Sequence, residues 1–154
     1  MMSLSENQSS NSTNIGEESW NEYLAGLIDG DGSLLISKKG YASLEITMDI
    51  HDEYALNKVK QKLGGSVKRR SGAGAFRYRL HHKLGILNLL GRISGNIRNS
   101  QRIAQLQKMC ILYKIPYKDP VKLTLHSSWF AGFFDADGTI TYSMKKGWPQ
   151  LTKL

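Results

Sequence analysis

Residues 24–32 read LAGLIDGDG, and residues 130–138 read FAGFFDADG. Ala25, Gly26, Asp29, Asp31 and Gly32 recur as Ala131, Gly132, Asp135, Asp137 and Gly138, at a constant offset of 106 residues. Each copy has an aromatic near its helix start, Trp20 or Trp129, and is followed by a strand-like stretch, SLLIS or TITYS. Agreement in identity and register over that length marks an internal duplication. Gly26 and Gly30 stand four residues apart, as do Gly132 and Ala136, so each pair shares one helix face. Small side chains at that spacing let two helix backbones approach closely. The rule is best known for membrane helices, but its steric reason holds in water. The two copies are therefore expected to pack together, each helix delivering its last acid, Asp31 or Asp137, to the same end of the pair.

That end is C-terminal, where a carboxylate opposes the helix macrodipole at about 0.3–1 kcal/mol. Two such acids side by side also repel. One aspartate near a helix end is ordinarily a cap of the next turn, whereas a matched pair in a basic protein points to a metal site. Asp31 and Asp137 are the expected ligands, the backbone carbonyls of Gly30 and Ala136 can add oxygen donors, and Mg²⁺ suits such hard donors. A cation there lowers the pKa of a bound water and stabilises a phosphodiester transition state. Asp29 and Asp135, two residues earlier, are expected to point elsewhere and to orient the helix end or cap backbone amides.

Outward from the first motif, residues 20–29 read as a helix with Ser19 as N-cap and Glu22 completing a capping box. Residues 33–37 read as a strand, and Lys38-Lys39-Gly40 as a hairpin turn. Residues 41–50 alternate with period two: Ala42, Leu44, Ile46, Met48 and Ile50 on one face, Tyr41, Ser43, Glu45, Thr47 and Asp49 on the other. Asp52 can cap the next helix, which runs to Leu63 and stops at Gly64-Gly65. Residues 66–70 and 75–81 form a second hairpin, and helices follow over 83–93 and from about 99 or 100 to 113. The fold class is α+β: an αββαββα unit with one four-stranded antiparallel sheet, followed by the start of a second copy. Residues 1–19, rich in Ser, Asn and Glu, read as a flexible tail, residues 20–115 as the complete first repeat, 116–126 as a linker and 127–154 as the start of the second repeat.

The chain has 154 residues, 40% hydrophobic and 22% charged, which is enough for one core. No apolar run approaches the roughly 18 residues of a spanning helix, and the single cysteine, Cys110, excludes an intramolecular disulfide framework. The net charge is +8, and it is unevenly spread. Residues 54–118 contain no Asp or Glu and hold 15 of the 21 Lys and Arg residues. Such a field attracts polyanions. Nucleic acid is the leading partner; an anionic membrane surface would call for a basic amphipathic helix with an aromatic apolar face, which the sequence lacks. A twisted two-stranded ribbon fits a major groove, and an arginine on it can read guanine bidentately. The candidate DNA-contacting set is Ser33, Leu35, Ser37, Lys39, Tyr41, Ser43, Glu45, Thr47, Lys68, Arg70, Arg77, Arg79 and His81. The four histidines show no metal-ligand spacing, and no phosphate-binding GxxxxGK[ST] loop or Ser/Cys nucleophile signature occurs.

The doubled motif resembles the signature of the LAGLIDADG homing endonuclease and intron maturase family, and the resemblance covers residue 20 to the C-terminus. It implies that the motif helices form the interface between two halves and that the last acids, Asp31 and Asp137, bind Mg²⁺. It further implies that the sheets form a saddle over double-stranded DNA and that cleavage of the target site leaves staggered ends. A basic residue after the first sheet often sits near the active site in this family; Arg98 in GNIRNSQR is the candidate, with Lys122 and Arg102 as alternatives. The implied activity is a Mg-dependent endodeoxyribonuclease of the intron-homing kind, and the implied home is a mitochondrion or chloroplast. An RNA maturase that helps intron RNA to splice and a DNA-binding remnant are the other readings. The second copy reaches Leu154 after one strand, so one reading surface is complete. The chain on its own is expected to be weak or inactive, with a missing half in trans as one remedy, and Trp129, Phe133 and Phe134 are expected to be only partly covered.

Overall fold

The computed structural model describes residues 2–49, 53–69 and 74–136. In chain order the elements are α1 (Met2–Asp31), β1 (Gly32–Ile36), β2 (Ala42–Asp49), α2 (Glu53–Leu63), β3 (Ser66–Arg69), β4 (Ala75–Leu80), α3 (Lys83–Ile93), α4 (Ser100–Tyr113) and α5 (Trp129–Ala136). The four strands form one antiparallel sheet in the order β1-β2-β4-β3. This is the expected α+β arrangement, with α4 added behind the unit and α5 opening the second motif.

Alternation decides which face of the sheet is buried. Leu34, Leu44 and Leu80 are in register, as are Ile46, Tyr78 and Val67, and Met48 and Phe76. They turn toward the helices, where Leu24, Leu27, Ile28, Leu56, Val59, Ile86, Leu89, Leu90, Leu106 and Met109 complete the core. The open face carries the alternate residues. The edge strand β1 is tied to α4, because the Leu34 amide donates to Oε1 of Gln105 at 3.0 Å. That contact gives an edge amide a partner that the sheet itself cannot supply. Asn99 caps α4, its side chain accepting from the amides of Gln101 and Arg102.

Two expectations change. The flexible tail over residues 1–19 and the N-cap at Ser19 give way to a helix running from Met2. Ser and Asn are weak helix formers, but tertiary contacts hold the helix from Glu17 onward. Glu17 accepts from Lys62 Nζ at 2.8 Å and from Arg92, Asn21 Oδ1 accepts from Arg92 at 3.0 Å, and the Trp20 ring lies against Lys62 and Arg92. Packing of this kind outweighs propensity. Glu22 serves α5 instead of a capping box: it accepts from the Ser127 hydroxyl, which itself accepts the Trp129 amide. The second change concerns exposure. Trp129 and Phe133 are buried to 1% and 2%, and only Phe134 is substantially exposed at 39%. The expected cap Asp52, the strand end at Ile50 and the strand after the second motif lie outside the described residues.

Candidate functional site

Helices α1 and α5 meet through their small residues. A Cβ on Gly26 would stand 2.1 Å from the Trp129 carbonyl oxygen and 2.7 Å from the Phe133 nitrogen. A Cβ on Gly132 would stand 1.9 Å from the Tyr23 carbonyl oxygen and 2.9 Å from the Leu27 nitrogen. The contact is reciprocal under the offset of 106, as two copies facing each other across a local two-fold require. Gly30 and Ala136, themselves equivalent, face each other: a Cβ on Gly30 would lie 2.6 Å from that of Ala136. The backbones thus come together at the residues that immediately precede the two candidate acids.

Asp31 is half-buried at the last position of α1. Asp137 lies outside the described residues, so the separation of the two carboxylates is not part of the geometry. No cluster of three or more His, Cys, Asp or Glu suited to a metal forms among the described residues. What the described part offers a cation is the last turns of α1 and α5 in contact at Gly30 and Ala136, with carbonyl oxygens and the negative end of the dipole directed the same way. With Asp31 there, that donor set fits a hard divalent ion.

Asp29 is 1% exposed and faces away from solvent. Its Oδ2 accepts from the Arg98 amide at 2.8 Å and from Trp129 Nε1 at 2.7 Å, and its Oδ1 accepts from the Asn99 amide at 3.1 Å. Burial pushes this carboxyl above the usual range, while the three N–H donors and the Arg102 charge pull it back. Asp135 is exposed and accepts from the Tyr23 hydroxyl at 2.6 Å. Tyr23 and Trp129 are 106 residues apart, as are Asp29 and Asp135, so each motif helix gives an aromatic donor to the other's aspartate. The expected capping of amides is what Asp29 does. The aromatic cross-ties escaped the sequence reading, although the offset aligns both donors and both acceptors.

Arg98 is half-buried beside the last turn of α1, and its Nε is buried with no hydrogen-bond partner in the described structure. Arg102 Nε donates to the Ile28 carbonyl at 3.4 Å. Lys122 is exposed in the segment between α4 and α5. Arg98 and Arg102 are the basic residues brought to the motif end.

The open face of the sheet is ordered in rows. Ser33, Glu45, Arg79 and Ser66 are in register across four strands, then Thr47, Arg77 and Lys68 across three, then Leu35 and Ser43. Arg79 Nε sits 3.0 Å from Glu45 Oε1, an ion pair across neighbouring strands. Arg77 is half-buried with its Nε lacking a described partner. Ser37 and Tyr41 close the first turn, the Tyr41 amide donating to Ser37 Oγ at 3.1 Å, with Lys39 exposed at its tip. His81 is exposed just past β4, and Arg70 lies outside the described residues. The described candidates therefore share one face or its rim.

The family model described as LAGLIDADG endonuclease matches residues 24–113. The intron-encoded RNA maturase bI4 of Saccharomyces cerevisiae is 54% identical over 136 residues, covering 86% of this chain and 21% of that protein. The intron-encoded DNA endonuclease ai2a of Dictyostelium discoideum is 39% identical over 141 residues, covering 92% of this chain and 45% of that protein. The chain thus spans less than half the length of these curated relatives. Among solved structures, the meganuclease I-AabMI, bound to uncleaved DNA, aligns with TM-score 0.55 at 17% identity, over 75% of this chain and 56% of that one. The homing endonuclease I-CvuI, solved with its target in the presence of calcium, aligns with TM-score 0.53 at 18% identity, over 66% of this chain and 71% of that one. The fold agrees with both structures, the family model matches the first motif and the unit that follows it, and the chain belongs to the LAGLIDADG endonuclease family.

Proposed function

We propose that this chain is part of an intron-homing endonuclease that cuts double-stranded DNA at a specific site. The observation that carries the reading is the contact of Gly30 with Ala136, which brings two helix C-termini together beside Asp31. The open sheet face supports it, since one row joins Glu45 to Arg79 and the next joins Arg77 to Lys68. That face binds and orients the duplex: Lys68 and Arg77 neutralise phosphates or read base edges, and the Glu45 carboxylate holds the Arg79 guanidinium in one direction. Asp31 and Asp137, with the carbonyls of Gly30 and Ala136, would hold Mg²⁺. When bound, the ion supplies a water of lowered pKa and positive charge for the phosphodiester transition state. Arg98 binds a phosphate oxygen at the reacting group. The expected home is the organelle, mitochondrion or chloroplast, whose intron encodes it.

Incubation of the chain, supplied in trans with the rest of the second repeat, with a randomised duplex pool and Mg²⁺, followed by sequencing of cut ends, tests the reading. One preferred site with staggered ends is expected. Asp31→Asn should lower the cleavage rate by about 10²-fold or more while leaving binding intact. Binding of a specific duplex without cleavage in either Mg²⁺ or Mn²⁺ would overturn it. A second reading, an RNA maturase acting on intron RNA, is favoured by the 54% identity to an RNA maturase. Splicing stimulation that survives the Asp31→Asn, Asp137→Asn double variant would support that second role.

A further inference from the structure

We propose that Asp29 is a positioning residue that makes the seating of the second motif helix a condition for placing Arg98. The inference rests on the nuclease reading for its consequence in catalysis, but its geometry stands independently. One buried carboxylate joins three elements. Oδ2 is shared by the indole N–H of Trp129 on α5 and the amide of Arg98 between α3 and α4, and Oδ1 takes the amide of Asn99. Asn99 in turn caps α4 through Gln101 and Arg102. With its oxygens given over to N–H donors at 1% exposure, Asp29 serves this junction and leaves metal binding to Asp31.

Asp29 does more than tie the two motif helices together. Asp135 accepts from Tyr23 and is exposed, whereas Asp29 adds two backbone amides to its aromatic donor. The extra donors belong to Arg98 and its neighbour. The Arg98 Nε lacks a hydrogen-bond partner in the described structure, and the Arg98 backbone is held by Asp29. Withdrawing the Trp129 indole frees the shared oxygen to turn away from the Arg98 amide. An error of about 1 Å at a reacting group costs up to about 10²-fold in rate.

The test uses the full chain, supplied in trans with the rest of the second repeat for the cleavage readout, and the duplex recovered from the randomised pool. Trp129→Phe keeps a ring to stack on Phe133, now at 5.0 Å, and removes only the donor; Tyr23→Phe removes the equivalent donor of the other copy. In Trp129→Phe the amides of Arg98 and Asn99 should exchange with deuterium several-fold faster. Single-turnover cleavage should fall about tenfold or more, with duplex affinity within about twofold. Tyr23→Phe should leave the exchange of those amides and the cleavage rate near the unaltered chain. A purely structural role would lower affinity and rate together. Unchanged amide exchange in Trp129→Phe, or equal effects of the two variants, would overturn the proposal. The unaltered chain gives a second measurement that needs no variant to fold. Under increasing denaturant, the Trp129 indole N–H and the amides of Arg98 and Asn99 should open in one step, and an indole that opens while the amides stay protected refutes the tie. Absence of cleavage by the chain supplied in trans with the rest of the second repeat sinks the nuclease reading and leaves the exchange experiment to decide the junction.

Discussion

Tyr23 donates to Asp135 across the helix pair, and Trp129, at the matching position of the second copy, donates to Asp29. Gly26 admits the backbone of α5 as Gly132 admits that of α1. Toward each other the copies behave alike. Toward the rest of the molecule they differ: Asp29 is buried and holds the start of α4, while Asp135 faces solvent. The reciprocal contacts join the two motif helices, and Asp29 also holds the start of α4 within its own α+β unit.

The largest effect should come from breaking that difference directly. Asp29→Ala leaves an indole N–H and two amides without their acceptor in a buried place. Each unsatisfied buried donor costs about 1–3 kcal/mol, so a loss of about 3 kcal/mol or more is expected in denaturant unfolding. Asp135→Ala removes one exposed hydrogen bond and should cost under about 1 kcal/mol. Equal losses would erase the distinction between the copies. The glycines probe the shared part. Gly26→Ala and Gly132→Ala each force a methyl to within about 2 Å of a backbone oxygen, and overpacking of this kind costs about 1–3 kcal/mol or more. The two costs should match, because the contacts are reciprocal. Gly91→Ala, on α3 with nothing within 4 Å of the added carbon, should instead stabilise by about 0.5–1 kcal/mol.

Much of this was legible from local pattern. The alternation of Ala42, Leu44, Ile46 and Met48 sorts the sheet faces because period two admits only two sides, and all four are buried. The spacing of Gly26 with Gly30 and of Gly132 with Ala136 announced a close helix pair, since nothing else in a helix rewards missing side chains. Bonds between distant residues were not legible. The indole of Trp129 reaches an acceptor 100 residues earlier, and no local rule couples the two. The helical run before Ser19 was hidden for the same reason: its composition reads as disorder, and what fixes Glu17 and Trp20 are Lys62 and Arg92 on other elements. The burial of Trp129 and Phe133 follows from the partner helix rather than from their own segment.

The smallest expected effect sharpens the comparison at the other end of the motif helices. Glu17 binds Lys62 and Arg92 and so fastens α1 to α2 and α3. The position 106 residues on is Leu123, in the segment ahead of α5. Hydrogen bonds from the two cations, and their charge, hold the Glu17 carboxyl down at about 2 against an ordinary value of 4.5. A depressed carboxyl stabilises the fold fully above its unfolded pKa and ceases to do so as pH falls through its folded value. Glu17→Gln should therefore be less stable than the unaltered chain by a constant amount above about pH 4.5, and the two should converge as pH approaches about 2. The pair is partly exposed, with Glu17 at 42%; solvent and salt screen it, and the plateau difference should be about 1 kcal/mol or less. Urea unfolding of both chains between pH 2.5 and 7 reads it. Curves that remain parallel down to pH 2.5 would mean that Glu17 is not the anchor of α1 to α2 and α3.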